Sequence, residues 1–324
     1  MSGRLAAFIT PGKSLASAVE RVVLAERLGY EAAFATHIAA RDGMMTLAAY
    51  AAATSRILLG TGVLPAFPRH PVSLASEAAT LDEMTGGRLI LGIGTSHRVT
   101  MENWYGFDMS KPLSQLKEYV AILRSIFTTG RVKHDGDFYK ANFGFMGYEA
   151  RADLPIYISG LSKNTLRFAG AAADGLVLWS CMPRYIEEVV VPEVRAGALE
   201  AGRDPSACEI VAAVPCALTD DVAGARDAFR KEFFTYMTLP FYRAVIAAAG
   251  YAAEIEAFDK ALGTGDMDTA RAAISDGMLE HFCGIGDAAT VRAKIAEYRT
   301  AGVTLPAVGA FGVAVDETLE AAIG

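Results

Sequence analysis

Ile57-Leu-Leu-Gly-Thr-Gly-Val-Leu64 and Arg88-Leu-Ile-Leu-Gly-Ile-Gly-Thr-Ser-His97 are two apolar runs separated by one helical stretch. Each is short, rich in branched aliphatic residues and closed by glycine with small polar neighbours. That is the pattern of a parallel strand buried on both faces. The stretch between them opens at Pro71, a favoured first helical position, so the unit reads strand, helix, strand. Parallel strands joined in this way deliver their carboxyl ends, with exposed backbone, to one rim. That rim is where α/β folds assemble their sites.

The same alternation extends outward in both directions. Strands are predicted at residues 5–9, 32–36, 57–64, 88–95, 155–159, 175–180, 209–218 and 304–311. Helices are predicted between them, among them one from Ser14 that ends at Gly29 and one over residues 287–301. Eight strand–helix repeats predict an α/β fold, a closed (β/α)8 TIM barrel in one domain over residues 1–324. Two insertions exceed the repeat. After strand four, residues 98–154 hold a helix at 113–128 and a hairpin at 132–139 turning at Asp135-Gly136. After strand seven, residues 221–286 carry extra helices and an aromatic cluster of Phe233, Phe234, Tyr236, Phe241 and Tyr242. Both insertions follow a strand, so both are expected over the carboxyl mouth of the barrel.

The bulk composition excludes several classes. With 324 residues, 52% hydrophobic and 21% charged, the chain can bury a large core. No apolar run approaches the roughly 18 residues a bilayer span needs, and the N-terminus lacks a signal-peptide pattern. A net charge of -7 without a basic block argues against nucleic acid. A cytoplasmic enzyme acting on a small molecule is expected. Cys181, Cys208, Cys216 and Cys283 are scattered with no C-x-x-C pair, so buried free thiols are expected and no metal site is.

Gly92-Ile-Gly94 invites a dinucleotide reading, but the third glycine of that fingerprint falls on His97, and after Gly60-Thr-Gly62 it falls on Pro65. The glycines instead let backbone approach a flat ligand or relieve crowding at a strand end. Ser159-Gly-Leu-Ser-Lys-Asn-Thr165 runs from a strand end into a helix with Ser162 as N-cap. The N–H groups of residues 160–163 then suit a phosphate, or simply a capped helix. His37 and His97 each follow a strand and are candidates for acid/base work or cofactor contact, with a hydrogen-bonded structural role as the alternative. Trp179, at the end of strand six, either walls a planar ring or plugs the barrel. His134, in the hairpin, reads as solvated. Glu77, Asp82 and Arg88 read as a partly buried ion network or a subunit contact. No nucleophile motif appears, so chemistry carried by a bound cofactor is the economical reading.

Four segments together resemble the bacterial luciferase-like superfamily of flavin- and deazaflavin-dependent enzymes. They are residues 56–63, the Glu77, Asp82 and Arg88 spacing, Leu91-Gly-Ile-Gly-Thr-Ser-His97, and Leu154-Pro-Ile-Tyr-Ile-Ser-Gly-Leu161 with Ala-Asp-Gly at 173–175. The resemblance implies a dimeric barrel with the ring of the cofactor across the carboxyl mouth. It implies a non-proline cis peptide at Gly62-Val63 propping the back of that ring, His37 against the ring, and residues 159–162 around the phosphate tail. Gly62, Val63, Thr95, Ser96, Ser159, Gly160, Leu161, Ser162 and Trp179, with His37, are the cofactor-binding candidates; His37 and His97 are the catalytic ones. The phosphate loop and Leu239-Pro-Phe-Tyr-Arg-Ala are most similar to the methylenetetrahydromethanopterin-reductase-like branch, which uses coenzyme F-420. Two departures, His97 where sugar-phosphate dehydrogenases carry an acid and Thr36 before the histidine of strand two, argue against sugar-phosphate oxidation.

The expectation is a luciferase-like oxidoreductase with coenzyme F-420 favoured and FMN the alternative, passing hydride to or from an apolar organic substrate. The alternatives are an FMNH2-dependent monooxygenase served by a separate flavin reductase, and a flavin-binding barrel without catalysis.

Overall fold

The computed structural model describes residues 3–10, 14–37 and 41–324. Met1 and Ser2, part of the N-terminal pattern read above, lie outside them. Eight parallel strands close into a barrel: β1 (Ala6–Ile9), β2 (Ala32–Ala35), β3 (Leu58–Thr61), β4 (Leu89–Gly94), β5 (Ile156–Ser159), β6 (Gly175–Leu178), β7 (Glu209–Leu218) and β8 (Leu305–Ala310). Each pairs with the next in sequence, and β8 returns to β1 through Ala6 with Ala307 and Ala7 with Val308. This is the (β/α)8 TIM barrel expected from the alternation.

Alternation along each strand explains why the strands read as unbroken apolar runs. One set of residues, including Ala6, Phe8, Ala32, Phe34, Val177 and Ala307, fills the barrel interior. The other set, including Ala7, Ile9, Ala33 and Ala35, packs outward against the helices. Large and small residues take turns inside: a Cβ at Gly60 would lie 2.5 Å from the Phe34 ring. The interior is a packed core, and any ligand must sit on its rim.

The run 57–64 is not one strand. β3 stops at Thr61, the chain swings out over a cis Gly62-Val63 peptide, and pairing with β4 resumes at Leu64–Pro65 opposite Ile93 and Gly94. Thr61 holds the gap. Its hydroxyl accepts the Gly92 N–H at 2.8 Å and donates to the Gly92 carbonyl at 2.6 Å. Gly92 is required there, because a Cβ would lie 1.9 Å from the Thr61 carbonyl oxygen.

Both insertions are present, with more detail than the sequence suggested. The first adds helices Arg98–Tyr105 and Pro112–Thr129 and a hairpin of Arg131–Asp135 with Lys140–Gly144. The expected two-residue turn at Asp135-Gly136 is a four-residue loop over residues 136–139. Its cause is Glu118, whose carboxylate accepts the N–H groups of Asp137, Phe138 and Tyr139. His134 also contacts that carboxylate at 3.1 Å, so it is an anchored residue and not a solvated one. The second insertion builds a separate apolar cluster around Phe229, Phe233, Phe258 and Phe282.

The expected ion network divides. Asp82 takes a two-pronged contact from Arg151, while Arg88 pairs with no carboxylate among the described residues. Its guanidinium instead donates to the carbonyls of Thr54, Ile57 and Thr85, tying loops at the closed end of the barrel. All four cysteines are buried free thiols. Among the described residues no helix is long and apolar enough to cross a membrane.

Candidate cofactor and substrate site

A cavity of about 320 Å³ opens at the carboxyl mouth. His37, Gly62, Val63, Thr95, Ser96, His97, Ser159, Gly160, Leu161, Ser162 and Trp179 all line it, although they come from the ends of five different strands. Tyr236, Phe241 and Tyr242 of the second insertion cover it, whereas Phe233 turns into the neighbouring apolar cluster and Phe234 packs against that cluster. The aromatic cluster therefore divides between covering the cavity and packing the insertion's own core.

The bulge after β3 pushes Val63 into the cavity, and Gly94 opposite it leaves room. A Cβ at Gly94 would lie 3.0 Å from Val63 Cγ2 and 2.2 Å from Ser159 Oγ. Ser96, just past β4, holds φ at 59°, and Ser180, just past β6, holds φ at 51°. Left-handed backbone at a non-glycine residue is unfavourable and concentrates where a site dictates the chain path.

The segment 159–165 forms an open cup. Helix Lys163–Ala172 begins there, with the Ser162 hydroxyl accepting the Thr165 N–H at 3.3 Å. The Leu161 carbonyl is pinned by the Tyr185 hydroxyl at 2.8 Å. The backbone N–H groups of residues 161–164 have no acceptor among the described residues. Unpaired amides at the positive end of a helix suit an oxyanion.

His37 is oriented from behind. Its Nδ1 accepts the Gly43 N–H at 2.9 Å, at the first turn of helix Gly43–Ala53. The proton of the neutral ring therefore sits on Nε2, and His37 is a hydrogen-bond donor. Burial lowers its pKa below the ordinary histidine value. Asp42, 3.7 Å from Nδ1, opposes the shift, and the Arg69 charge adds to it. Arg69 pairs with Asp42 and, at 3.2 Å, with Glu77. Thr36 leaves the histidine without an adjacent acid in sequence, and Asp42 supplies one in space. Sequence reasoning missed Asp42; the signal was its place as N-cap of the helix that starts at Gly43.

His97 differs. It precedes helix Arg98–Tyr105 without capping it, its ring lies 5.7 Å from that of Tyr242, and neither ring nitrogen has a hydrogen-bond partner among the described residues. Burial alone lowers its pKa, so near neutral pH it holds a free lone pair facing the cavity. Trp179 stacks edge-on against Phe8 at 5.5 Å, and its buried Nε1–H makes no close hydrogen bond among the described residues. Arg98, Met109 and Leu113, from the first insertion, close the near side; nothing in the local sequence marked them.

The family described as luciferase-like monooxygenase matches residues 1–305, and the chain belongs to that family of oxidoreductases. It is 31% identical over 285 residues to a 5,10-methylenetetrahydromethanopterin reductase of Methanopyrus kandleri, covering 82% of this chain and 80% of that one. It is 34% identical over 206 residues to the enzyme of the same name from Methanolobus tindarius, a match spanning 63% of this chain and 62% of that protein. The structure of the coenzyme F-420-dependent tetrahydromethanopterin reductase from Methanopyrus kandleri superposes with a TM-score of 0.85 at 26% identity. That match covers 100% of this chain and 98% of the other.

Proposed function

We propose that this chain is a coenzyme F-420-dependent oxidoreductase acting on an apolar organic substrate, built as one barrel domain over residues 1–324. The observation that carries the reading is a single cavity with three features. The unpaired amides of Leu161 and Ser162 and the start of a capped helix lie at one end, a glycine-cleared shelf faces Val63, and two differently wired histidines flank the mouth. The likeness to F-420-dependent reductases supports the choice of cofactor.

The residues fit such a group. The cup at 159–162 would take its phosphate, Gly62 and Val63 would support the rear face of the ring, and Thr95, Ser96 and Trp179 would border it. When bound, the deazaflavin supplies the hydride chemistry. His37, fixed as an Nε2–H donor, steadies an oxygen or the ring and does not exchange protons, because reversing its tautomer would set an N–H against the Gly43 N–H. His97, with both nitrogens free and its neutral form favoured, is the proton handler. Tyr236, Phe241 and Tyr242 give the substrate an apolar cover and exclude water.

Titration of the protein with F-420 and FMN, each in both redox states and followed by fluorescence, tests the reading. Tighter binding of reduced FMN, with oxygen uptake when a flavin reductase is added, would overturn it in favour of a monooxygenase. Tight binding without turnover would leave a passive binder. The reading includes a cytoplasmic homodimer. Its support is the exposed Met45 and Met84, 71% and 57% accessible, on the adjacent helices Gly43–Ala53 and Pro71–Thr85. Sedimentation tests it.

A further inference from the structure

A second, smaller cavity of about 40 Å³ lies across the mouth from the first, between β1, β7, β8 and helix Val222–Phe233. Trp179 and Tyr236 line both cavities and form the wall between them. Its lining is a continuous arc of six aromatic rings. Phe311 meets Phe229 at 5.2 Å, Phe229 meets Phe233 at 5.7 Å, and Phe233 meets Tyr236 at 5.8 Å. Tyr236 meets Trp179 at 6.5 Å, and Trp179 meets Phe8 at 5.5 Å. At the rim stands Glu232, the one charged side chain of the lining. It has no hydrogen bond and no ion pair among the described residues, whereas Asp276 and Glu280 pair with Arg226 and Arg230 of the same helix.

Aromatic faces carry negative potential and attract cations. A ring of them with a carboxylate at its edge is the chemistry that holds an ammonium head. An anion would meet the exposed Glu232 carboxylate unscreened, and a neutral apolar group would gain nothing from its charge. We propose that Glu232 and the aromatic arc form a subsite for a protonated amine or quaternary ammonium group on the substrate. The apolar remainder of that substrate passes Trp179 and Tyr236 into the larger cavity. This rests on the oxidoreductase reading for the word substrate, but the subsite is tested by binding alone.

The chain has two tryptophans, so Trp104→Phe leaves Trp179 as the sole reporter beside the subsite. Titrating that protein with choline and with its neutral isostere 3,3-dimethylbutanol separates charge recognition from apolar fit. Choline is expected to perturb Trp179 emission and to bind at least about tenfold more tightly than the alcohol. Adding Glu232→Gln is expected to abolish that preference. A parallel titration of Glu232→Gln with F-420 checks that the mouth is intact, and its affinity is expected to be unchanged. Equal affinities for the two probes, no binding of either, or a preference that survives Glu232→Gln would each overturn the subsite. Failure of F-420 to bind the unaltered protein would overturn the cofactor reading and leave the result for choline standing.

Discussion

Thr61→Val tests the link between the barrel and its site most directly. Thr61 is fully buried, and its hydroxyl closes both the N–H and the carbonyl of Gly92 across the bulge. Valine keeps the shape and removes both bonds. A buried N–H left without an acceptor costs about 1–3 kcal/mol, and a carbonyl somewhat less, so the loss is about 3 kcal/mol. Unfolding entropy of about 2.1 cal/mol/K per residue, over a chain of this length, converts that into a fall in Tm of about 4 °C. Differential scanning calorimetry reads this, with Thr61→Ser, which restores both bonds, as the control. The bulge also sets Val63 in the cavity, so F-420 affinity is expected to fall with Tm in Thr61→Val and to recover in Thr61→Ser. A melting point within about 1 °C of the parent, together with unaltered F-420 affinity, would refute the reasoning.

Three further outcomes are expected. His37→Ala should lower turnover by about a hundredfold while F-420 affinity changes little, because a fixed hydrogen-bond donor acts on charge that develops in the reacting state; equal, mild effects on both would remove His37 from the reaction. Gly160→Ala sets a Cβ 2.2 Å from Thr165 Cγ2 and disturbs the cup. It should weaken F-420 binding about tenfold, or 1.4 kcal/mol, and an unchanged isotherm would place the phosphate elsewhere. Acid should affect both rate and stability. His37 and His97 have folded-state pKa values below the ordinary 6.5, so below that pH the unfolded chain takes up protons that the folded chain refuses. Unfolding free energy then falls as the pH drops through 6.5 and levels off below the folded-state values. The double variant His37→Asn, His97→Asn should flatten that slope, and His97→Asn alone should remove the acid limb of the rate profile.

Much of the fold was legible in the chain. Repeats of a short apolar strand and an amphipathic helix leave a parallel barrel as the way to bury both strand faces, and caps such as Ser14 and Gly29 mark helix ends through local hydrogen bonds. The hairpin turn was not legible, because Glu118, far away in sequence, sets its loop length. The interrupted third strand was not legible from periodicity either, since Thr61 replaces a ladder bond with a side-chain bond that no pattern of apolar residues encodes.

The candidate site divides along the same line. Sequence alone determined which strand ends carry glycine, serine and histidine, because strand period and carboxyl-end placement are local consequences of the backbone. Tertiary structure decided what those residues can do. His37 and His97 look alike in the chain, yet one has its Nδ1 taken by the Gly43 amide and the other has both nitrogens free. Protonation state and hydrogen-bond direction depend on neighbours brought in by folding, and Asp42, Arg69, Tyr242 and Glu232 acquire their positions only when the barrel closes.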